Sequence, residues 1–192
     1  MLVKLVLVSF LCAAVMAATA TPVVAADNPT IVVETSMGAF EIELYADKAP
    51  KTVANILGYV DDKFYDGLIF HRVIPTFMVQ GGGLDAKLNK KETKAEIVNE
   101  STNGLLNKRG TVAMARTPKP NSATSQFFVN TKDNDFLDRA NAQDEVGYCV
   151  FGKVTKGMDI VDKIKDVKTE TRNGMKDVPA TDVTIKSIRV KK

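Results

Sequence analysis

The stretch Phe70-His-Arg-Val-Ile-Pro-Thr-Phe-Met-Val-Gln-Gly-Gly82 decides how this 192-residue chain is read. Leu68 to Ile74 and Phe77 to Gln80 are short apolar runs, broken by Pro75 and closed by Gly81-Gly-Gly83, and they predict two neighbouring strands. Side chains alternate across a strand, so Phe70 and Arg72 are expected on one face of the first and His71 on the other. Met78 and Gln80 share a face of the second, and a guanidinium, a thioether and an amide can therefore converge. A second stretch, Ser125-Gln-Phe-Phe-Val-Asn130, puts Gln126 and Phe128 on one face and Phe127 opposite. From alternation alone the aromatics serve equally well as core filling, and Arg72 as a surface charge.

Outward from these stretches, Ile31 to Thr35 and Ala39 to Tyr45 flank Ser36-Met-Gly38, and the alternation of Phe40, Ile42 and Leu44 with Glu41 and Glu43 predicts a hairpin with one wet face. Val53, Ile56, Leu57 and Val60 recur at helical spacing, and Pro50 suits a first turn, so a helix is expected from Pro50 to about Asp62. Residues 84 to 109 are polar, without periodicity, and read as a long surface loop. Gly110 to Ala115, Gln126 to Asn130 and Val150 to Val154 are further strands, and Asn134 to Leu137 is one helical turn. Met158, Ile160, Val161 and Ile164 mark a second helix over about Gly157 to Asp166. The last strand, Val183 to Val190, changes apolar parity between Ile185 and Ile188, the mark of a bulge. The absence of regular βα alternation predicts a mainly β protein, a closed eight-stranded antiparallel barrel capped by two α-helices.

Composition narrows the chemistry. The chain has one His, two Cys and no Trp. A multi-His metal site is excluded, and a Ser-His-Asp or Cys-His mechanism would have to use His71, which reads as a structural strand residue. The net charge of +3 comes from 26 basic and 23 acidic residues mixed along the sequence, with no concentrated basic tract for nucleic acid. Gly81-Gly-Gly83 lacks the Lys-Ser/Thr and helix of a phosphate loop, and neither Asp61-Asp62 nor Asp133 to Asp138 has calcium-loop spacing. No metal and no cofactor are predicted.

At the N-terminus Lys4 precedes an almost unbroken apolar run, Leu5 to Ala18, and Pro22-Val-Val-Ala-Ala26 ends in small residues. Residues 1–26 are read as a cleavable secretory signal peptide and residues 27–192 as one domain. Cys12 leaves with the signal. The exported chain then keeps Cys149 alone, forms no internal disulfide, and holds that thiol in an apolar run suited to a buried core position.

The two stretches quoted above, with Ala113-Met-Ala115 between them, resemble the cyclophilin family of peptidyl-prolyl cis-trans isomerases over essentially all of Thr30 to Val190. Phe136 and Gly147-Tyr-Cys-Val-Phe-Gly-Lys-Val154, together with the export signal, resemble its periplasmic bacterial branch. The resemblance implies that Arg72 is the catalytic arginine, that Phe77 and Met78 wall an apolar pocket, and that Gln80 orients the substrate. Ala115 and Arg116 correspond to the segment whose backbone grips the peptide, Gln126 to a second polar contact, and Phe128 to the floor of the proline pocket. Phe136 and Leu137 correspond to the pocket rim, and Tyr148 falls where many eukaryotic members carry a histidine. The implied partners are proline-containing polypeptides, including unfolded exported proteins whose folding the protein would assist as a periplasmic monomer without stable membrane association. Phe136 stands where many eukaryotic members have tryptophan and lacks an indole N–H, so weak cyclosporin binding is expected; Arg116 stands where asparagine is frequent.

The reaction so implied suits a chain poor in titratable chemistry. Rotation about an X-Pro bond transfers nothing and needs no nucleophile, metal, or acid or base near neutrality. It needs a donor for an amide nitrogen that becomes pyramidal as the bond twists, and a guanidinium, permanently protonated, supplies one. Two other readings stand beside it: a non-catalytic peptide-binding or chaperone module using the same groove, for which Arg72 would be superfluous, and a hydrolase, for which only His71 could serve as the base.

Overall fold

The computed structural model describes residues 28–192, so the signal peptide expected over residues 1–26 lies outside the described residues. The chain runs β1 (Thr30–Thr35), β2 (Gly38–Leu44), α1 (Pro50–Asp61), β3 (Phe70–Ile74), β4 (Met78–Gly81), β5 (Thr111–Met114), β6 (Phe127–Asn130), β7 (Val150–Lys156), α2 (Met158–Lys165), β8 (Thr169–Arg172), β9 (Met175–Pro179) and β10 (Ile185–Val190). Single helical turns stand at Ser101–Asn103, inside the long loop, and at Asp135–Leu137.

Eight strands form one antiparallel sheet in the order β10-β1-β2-β7-β5-β6-β4-β3. It is not the closed barrel that the sequence predicts: the sheet curls through 246° as an open half-barrel. Closure requires the two edge strands to meet along their length. Here β3 and β10 approach only where they begin, through a bridge between Ile69 and Thr184 and hydrogen bonds from Phe70 N to Val183 O (2.9 Å) and from Ile185 N to Leu68 O (2.7 Å). Against β3 packs the β8–β9 hairpin, which hydrophobic patterning does not predict because its strands are mostly polar and show no apolar alternation. Its turn did leave a signal. Asn173 and Gly174 both adopt positive φ, 52° and 80°, the geometry for which Asn-Gly is preferred in two-residue hairpins.

Alternation gives the middle of the sheet two apolar faces. Val79, Val112, Met114, Phe127, Val129 and Phe151 enter the main core, together with Val53, Ile56 and Val60 of α1 and Val161 and Ile164 of α2. Their chain neighbours Met78, Ala113, Phe128 and Val150 belong to a second, smaller cluster completed by Leu137. Register shifts interrupt four of the strand pairings of this sheet, and two of them bear on the expected faces. Ile185 opposes Thr35 while Ser187 opposes Glu34, so Lys186 is the extra residue that produces the parity change foreseen between Ile185 and Ile188. In β3, Phe70 opposes Gly81 and Arg72 opposes Gln80, which makes His71 the bulged residue. Phe70 therefore turns into the main core beside Phe40 and Phe127, and does not share the face of Arg72 as strict alternation would have it.

The helix α1 depends on the long loop for its N-terminus. Ala49 at the N-cap has no side-chain acceptor, so the first N–H groups lack a local partner. Glu100 supplies it from a distance, accepting from Lys51 N (3.1 Å), Thr52 N (2.8 Å) and the Thr52 hydroxyl (2.7 Å). A carboxylate at this end is also favoured by the helix dipole. Glu100→Ala is expected to lower stability by about 1–2 kcal/mol, the usual cost of a lost cap. Urea unfolding with an unchanged m-value checks this, and a midpoint equal to that of the unsubstituted protein would refute the capping role.

Candidate active site

Strand register assembles the centre of the site. Arg72 on β3 is paired with Gln80 on β4, Gln80 with Phe128 on β6, and Phe128 with Ala113 on β5. Directly paired residues project their side chains to the same face at about 5 Å spacing. A row is thus formed in which a guanidinium, an amide, a phenyl ring and a methyl group succeed one another across four strands. Met78, paired with Ile74 and Asn130 in the next row, deepens the apolar part.

The rim is held from beneath by buried amides. Phe77 lies in the turn between β3 and β4, and Phe136 and Leu137 lie in the Asp135–Leu137 turn, with the Phe77 and Phe136 rings 5.5 Å apart. Asn134 Nδ2 donates both to Phe77 O (2.8 Å) and to Asn130 Oδ1 (2.7 Å), tying the two turns to β6. Asn130 Nδ2 donates in turn to Thr111 Oγ1 (2.9 Å), and Asn107 Nδ2 donates to Asp138 Oδ1 (2.9 Å). All three asparagines are fully buried. Sequence reading placed Asn134 only as the start of a helical turn, because nothing local says that an amide will be buried beneath two aromatic rims.

Together these parts enclose a cleft of about 300 Å³ lined by Arg72, Phe77, Met78, Gln80, Ala115, Arg116, Phe128, Phe136, Leu137 and Tyr148. Gln126, the other expected site residue, lies in an adjoining recess shared with Gln80, and Gln80 Nε2 donates to Gln126 Oε1 at 2.9 Å. A Cβ at Gly83 would come within 2.5 Å of the Gln126 side chain, so the absence of a side chain there is what lets this glutamine lie flat. The eleven residues singled out from sequence therefore occupy one continuous surface.

The charges differ in their commitments. Arg72 is partly buried, lies 5.8 Å from the Phe77 ring centroid, and among the described residues pairs with no carboxylate. Arg116 is the reverse: its side chain is only 3% exposed and is paired with Asp144. Two neighbouring groups with acid–base potential are withdrawn. Burial pushes the His71 imidazole down to about 4, with its Nδ1 unpartnered, and pushes the Cys149 thiol up to about 11.

Comparison with known proteins gives the family of the chain. A family model described as cyclophilin type peptidyl-prolyl cis-trans isomerase/CLD matches residues 30–190. The chain is 52% identical over 164 residues to a peptidyl-prolyl cis-trans isomerase of Acinetobacter baylyi, spanning 85% of this chain and 86% of that one. It is 53% identical over 158 residues to peptidyl-prolyl cis-trans isomerase B of Escherichia coli, spanning 81% and 96%. The crystal structure of a cyclophilin type peptidyl-prolyl cis-trans isomerase of Cryptosporidium parvum has a TM-score of 0.75 at 24% identity, covering 86% of this chain and 98% of that one. A further crystal structure of that protein was obtained in the presence of the dipeptide Ala-Pro, with a TM-score of 0.70 over 85% and 99% of the two chains. The chain belongs to the cyclophilin-type peptidyl-prolyl cis-trans isomerase family. Its activity is accordingly the catalysis of cis-trans rotation about X-Pro peptide bonds.

Burial of neutral His71 has a pH signature. The imidazole binds its proton near 6.5 when unfolded and near 4 when folded, so the unfolded state holds more protons between these values. Its contribution is complete above about pH 6.5 and is lost as the pH falls toward 4, by about 3 kcal/mol at most. Urea midpoints of the unsubstituted protein should fall between about pH 7 and pH 4.5 and those of His71→Gln should change less; equal slopes in the two proteins would overturn this assignment.

Proposed function

We propose that the cleft binds an X-Pro segment with the prolyl ring on Phe128, between Phe77, Met78 and Leu137, while Arg72 donates to the prolyl nitrogen as the bond twists. The observation that carries this reading is the placement of an uncommitted guanidinium beside an apolar pocket, in the same row of paired positions as Gln80 and Phe128. The Cryptosporidium parvum structure obtained with Ala-Pro supports a proline-containing ligand for this fold. Gln80 spends one N–H on Gln126, which leaves the Gln80 carbonyl and the Gln126 amide to orient the peptide. Ala115 N donates to Gln126 O, so the peptide-facing polar groups of that segment are the Ala115 carbonyl and the Arg116 backbone.

Magnitudes show why both donor and pocket are needed. Amide resonance sets a barrier of roughly 18–20 kcal/mol, and an acceleration on the order of 10⁵ requires about 7 kcal/mol. One preorganised donor aimed at the transition state supplies about 2.7–4 kcal/mol. The remainder comes from binding that favours the twisted geometry, with the ring held by the pocket and the preceding carbonyl held by polar groups. An apolar surrounding also disfavours the charge-separated planar amide, which lowers the cost of twisting.

We propose further that residues 1–26 are removed on export and that the protein works in the periplasm as a monomer on unfolded exported proteins. Lys4, the Leu5 to Ala18 run and the Ala25-Ala26 site support this, as does a first strand that begins at Thr30, just beyond the cut. Weak cyclosporin binding follows from Phe136, whose exposed ring offers no N–H. N-terminal sequencing of the protein from a periplasmic fraction should read from Asp27; an uncleaved product confined to the cytosol would contradict export.

The mechanism is tested by Arg72→Ala in a proline-isomerisation assay. The expected result is a fall in kcat/KM of about tenfold to a hundredfold, as for loss of a donor used mainly in the transition state. Unchanged turnover would remove Arg72 from the mechanism. The activity of the unsubstituted protein should be nearly flat between about pH 6 and 9, because guanidinium does not titrate there and His71 and Cys149 are shifted out of that window.

A further inference from the structure

Arg116 leaves β5 with its backbone partly open to the cleft and its side chain folded inward, although a guanidinium at a substrate groove would ordinarily face solvent or substrate. Its Nε and Nη2 donate to Gly147 O at 3.1 and 3.0 Å, Nη1 donates to Thr117 O at 3.1 Å, and Nη2 is paired with Asp144 Oδ2. Asp144 Oδ1 accepts from Val146 N and Gly147 N, both at 3.0 Å. The plane so fixed lies against Tyr148, with Cζ 4.4 Å from the ring centroid, and Tyr148 in turn meets Phe128 edge-on at 5.8 Å. A continuous chain of contacts therefore runs from Arg116 through Tyr148 to the ring that the prolyl group would cover.

The loop behind these contacts has other anchors. Asn99 Nδ2 donates to Gly147 O at 3.1 Å, Ser101 Oγ donates to Val146 O at 2.5 Å, and Tyr148 N donates to Leu137 O at 2.9 Å. Gly147 sits at φ 68°, where a Cβ would come within 2.6 Å of Arg139 N, so the turn itself is dictated by close backbone packing. These contacts hold the main chain whether or not Arg116 is present. What Arg116 adds is a guanidinium over the Tyr148 ring, with its donors spent on Gly147, Asp144 and Thr117.

We propose that Arg116, locked by Asp144 and Gly147, is a positioning residue for Tyr148, setting the wall of the proline pocket and hence how tightly the peptide is held rather than how fast its bond twists. This rests on the reading that the cleft takes X-Pro segments. It assigns the arginine at this position a role in shaping the pocket from behind, with only its backbone facing the peptide. The Gly147 amide, with Arg116, holds the Asp144 carboxyl down at about 2, so the lock stays charged throughout the neutral range.

The test is steady-state isomerisation and peptide titration by NMR on Arg116→Gln, Arg116→Lys, Asp144→Asn and the Arg116→Gln/Asp144→Asn double variant. Arg116→Gln is expected to raise KM, and the peptide Kd, about tenfold with kcat within about twofold, the pattern of lost uniform binding. The Tyr148 ring resonances should move in the same variant. Arg116→Lys should not restore affinity, because charge without the planar fork gives no such lock. Asp144→Asn should raise KM about threefold and the double variant should be no worse than Arg116→Gln, since both act through one lock. A wild-type-like Arg116→Lys, multiplicative effects in the double variant, equal losses in kcat and kcat/KM, or an unchanged Kd in a normally melting Arg116→Gln would each overturn the proposal. The titration measures the lock independently of turnover, and Arg72→Ala run beside it tests the reading of the cleft separately.

Discussion

The antiparallel register that sets Arg72 opposite Gln80, Gln80 opposite Phe128, and Phe128 opposite Ala113 is the constraint on which the site depends. In a strand a slip of one residue sends every side chain to the other face. Such a slip in β6 alone would move Phe128 into the main core and Phe127 into the cleft. Burial opposes it from both sides at once, because Phe127 and Val129 are enclosed in the main core while Phe128 is packed with Met78, Ala113 and Leu137. The apolar pocket is thus the outer half of the packing that holds the register. Bulging at His71 is part of the same arrangement: it frees Phe70 to fill the core while leaving Arg72 beside the pocket.

This architecture matches an isomerase that transfers nothing. Burial removes the imidazole and the thiol from acid–base use near neutrality, and the proposed donor is a group whose charge does not depend on pH in the working range. The pocket walls are raised on turns, which would otherwise be the mobile parts of the site, and side-chain hydrogen bonds hold them. Asn134 binds the Phe77 turn to the end of β6, and Arg116 and Asp144 bind the approach to Tyr148. Buried donors are costly unless paired, and the paired amide of Asn134 and guanidinium of Arg116 each favour one arrangement of the wall they hold.

Much of this was legible along the chain. Alternation in β4 and β6, the Pro50 helix start, the second helix and the bulge in β10 all follow from periods of two or 3.6 residues and from a few turn formers, which are local properties. The residues of the cleft were legible because two motif-bearing stretches carry most of them and the resemblance to cyclophilins supplied the others. The β8–β9 hairpin escaped because its polar strands show no apolar alternation, although Asn173-Gly174 marked its turn. The side of Phe70 was misplaced because one bulged residue inverts parity, and no local feature of Phe70-His71-Arg72 announces the bulge.

The sequence by itself determined the two-faced strands, the helices, the family and the residues of the cleft, since each of these rests on local periodicity or on contiguous motifs. Only the tertiary structure decided that the sheet stays open, that Glu100 caps a helix some fifty residues away in the chain, and that Arg116 turns its charge inward to Asp144 and Tyr148. Those outcomes depend on which distant groups meet once the strands have paired, and a one-dimensional pattern carries no distance between them.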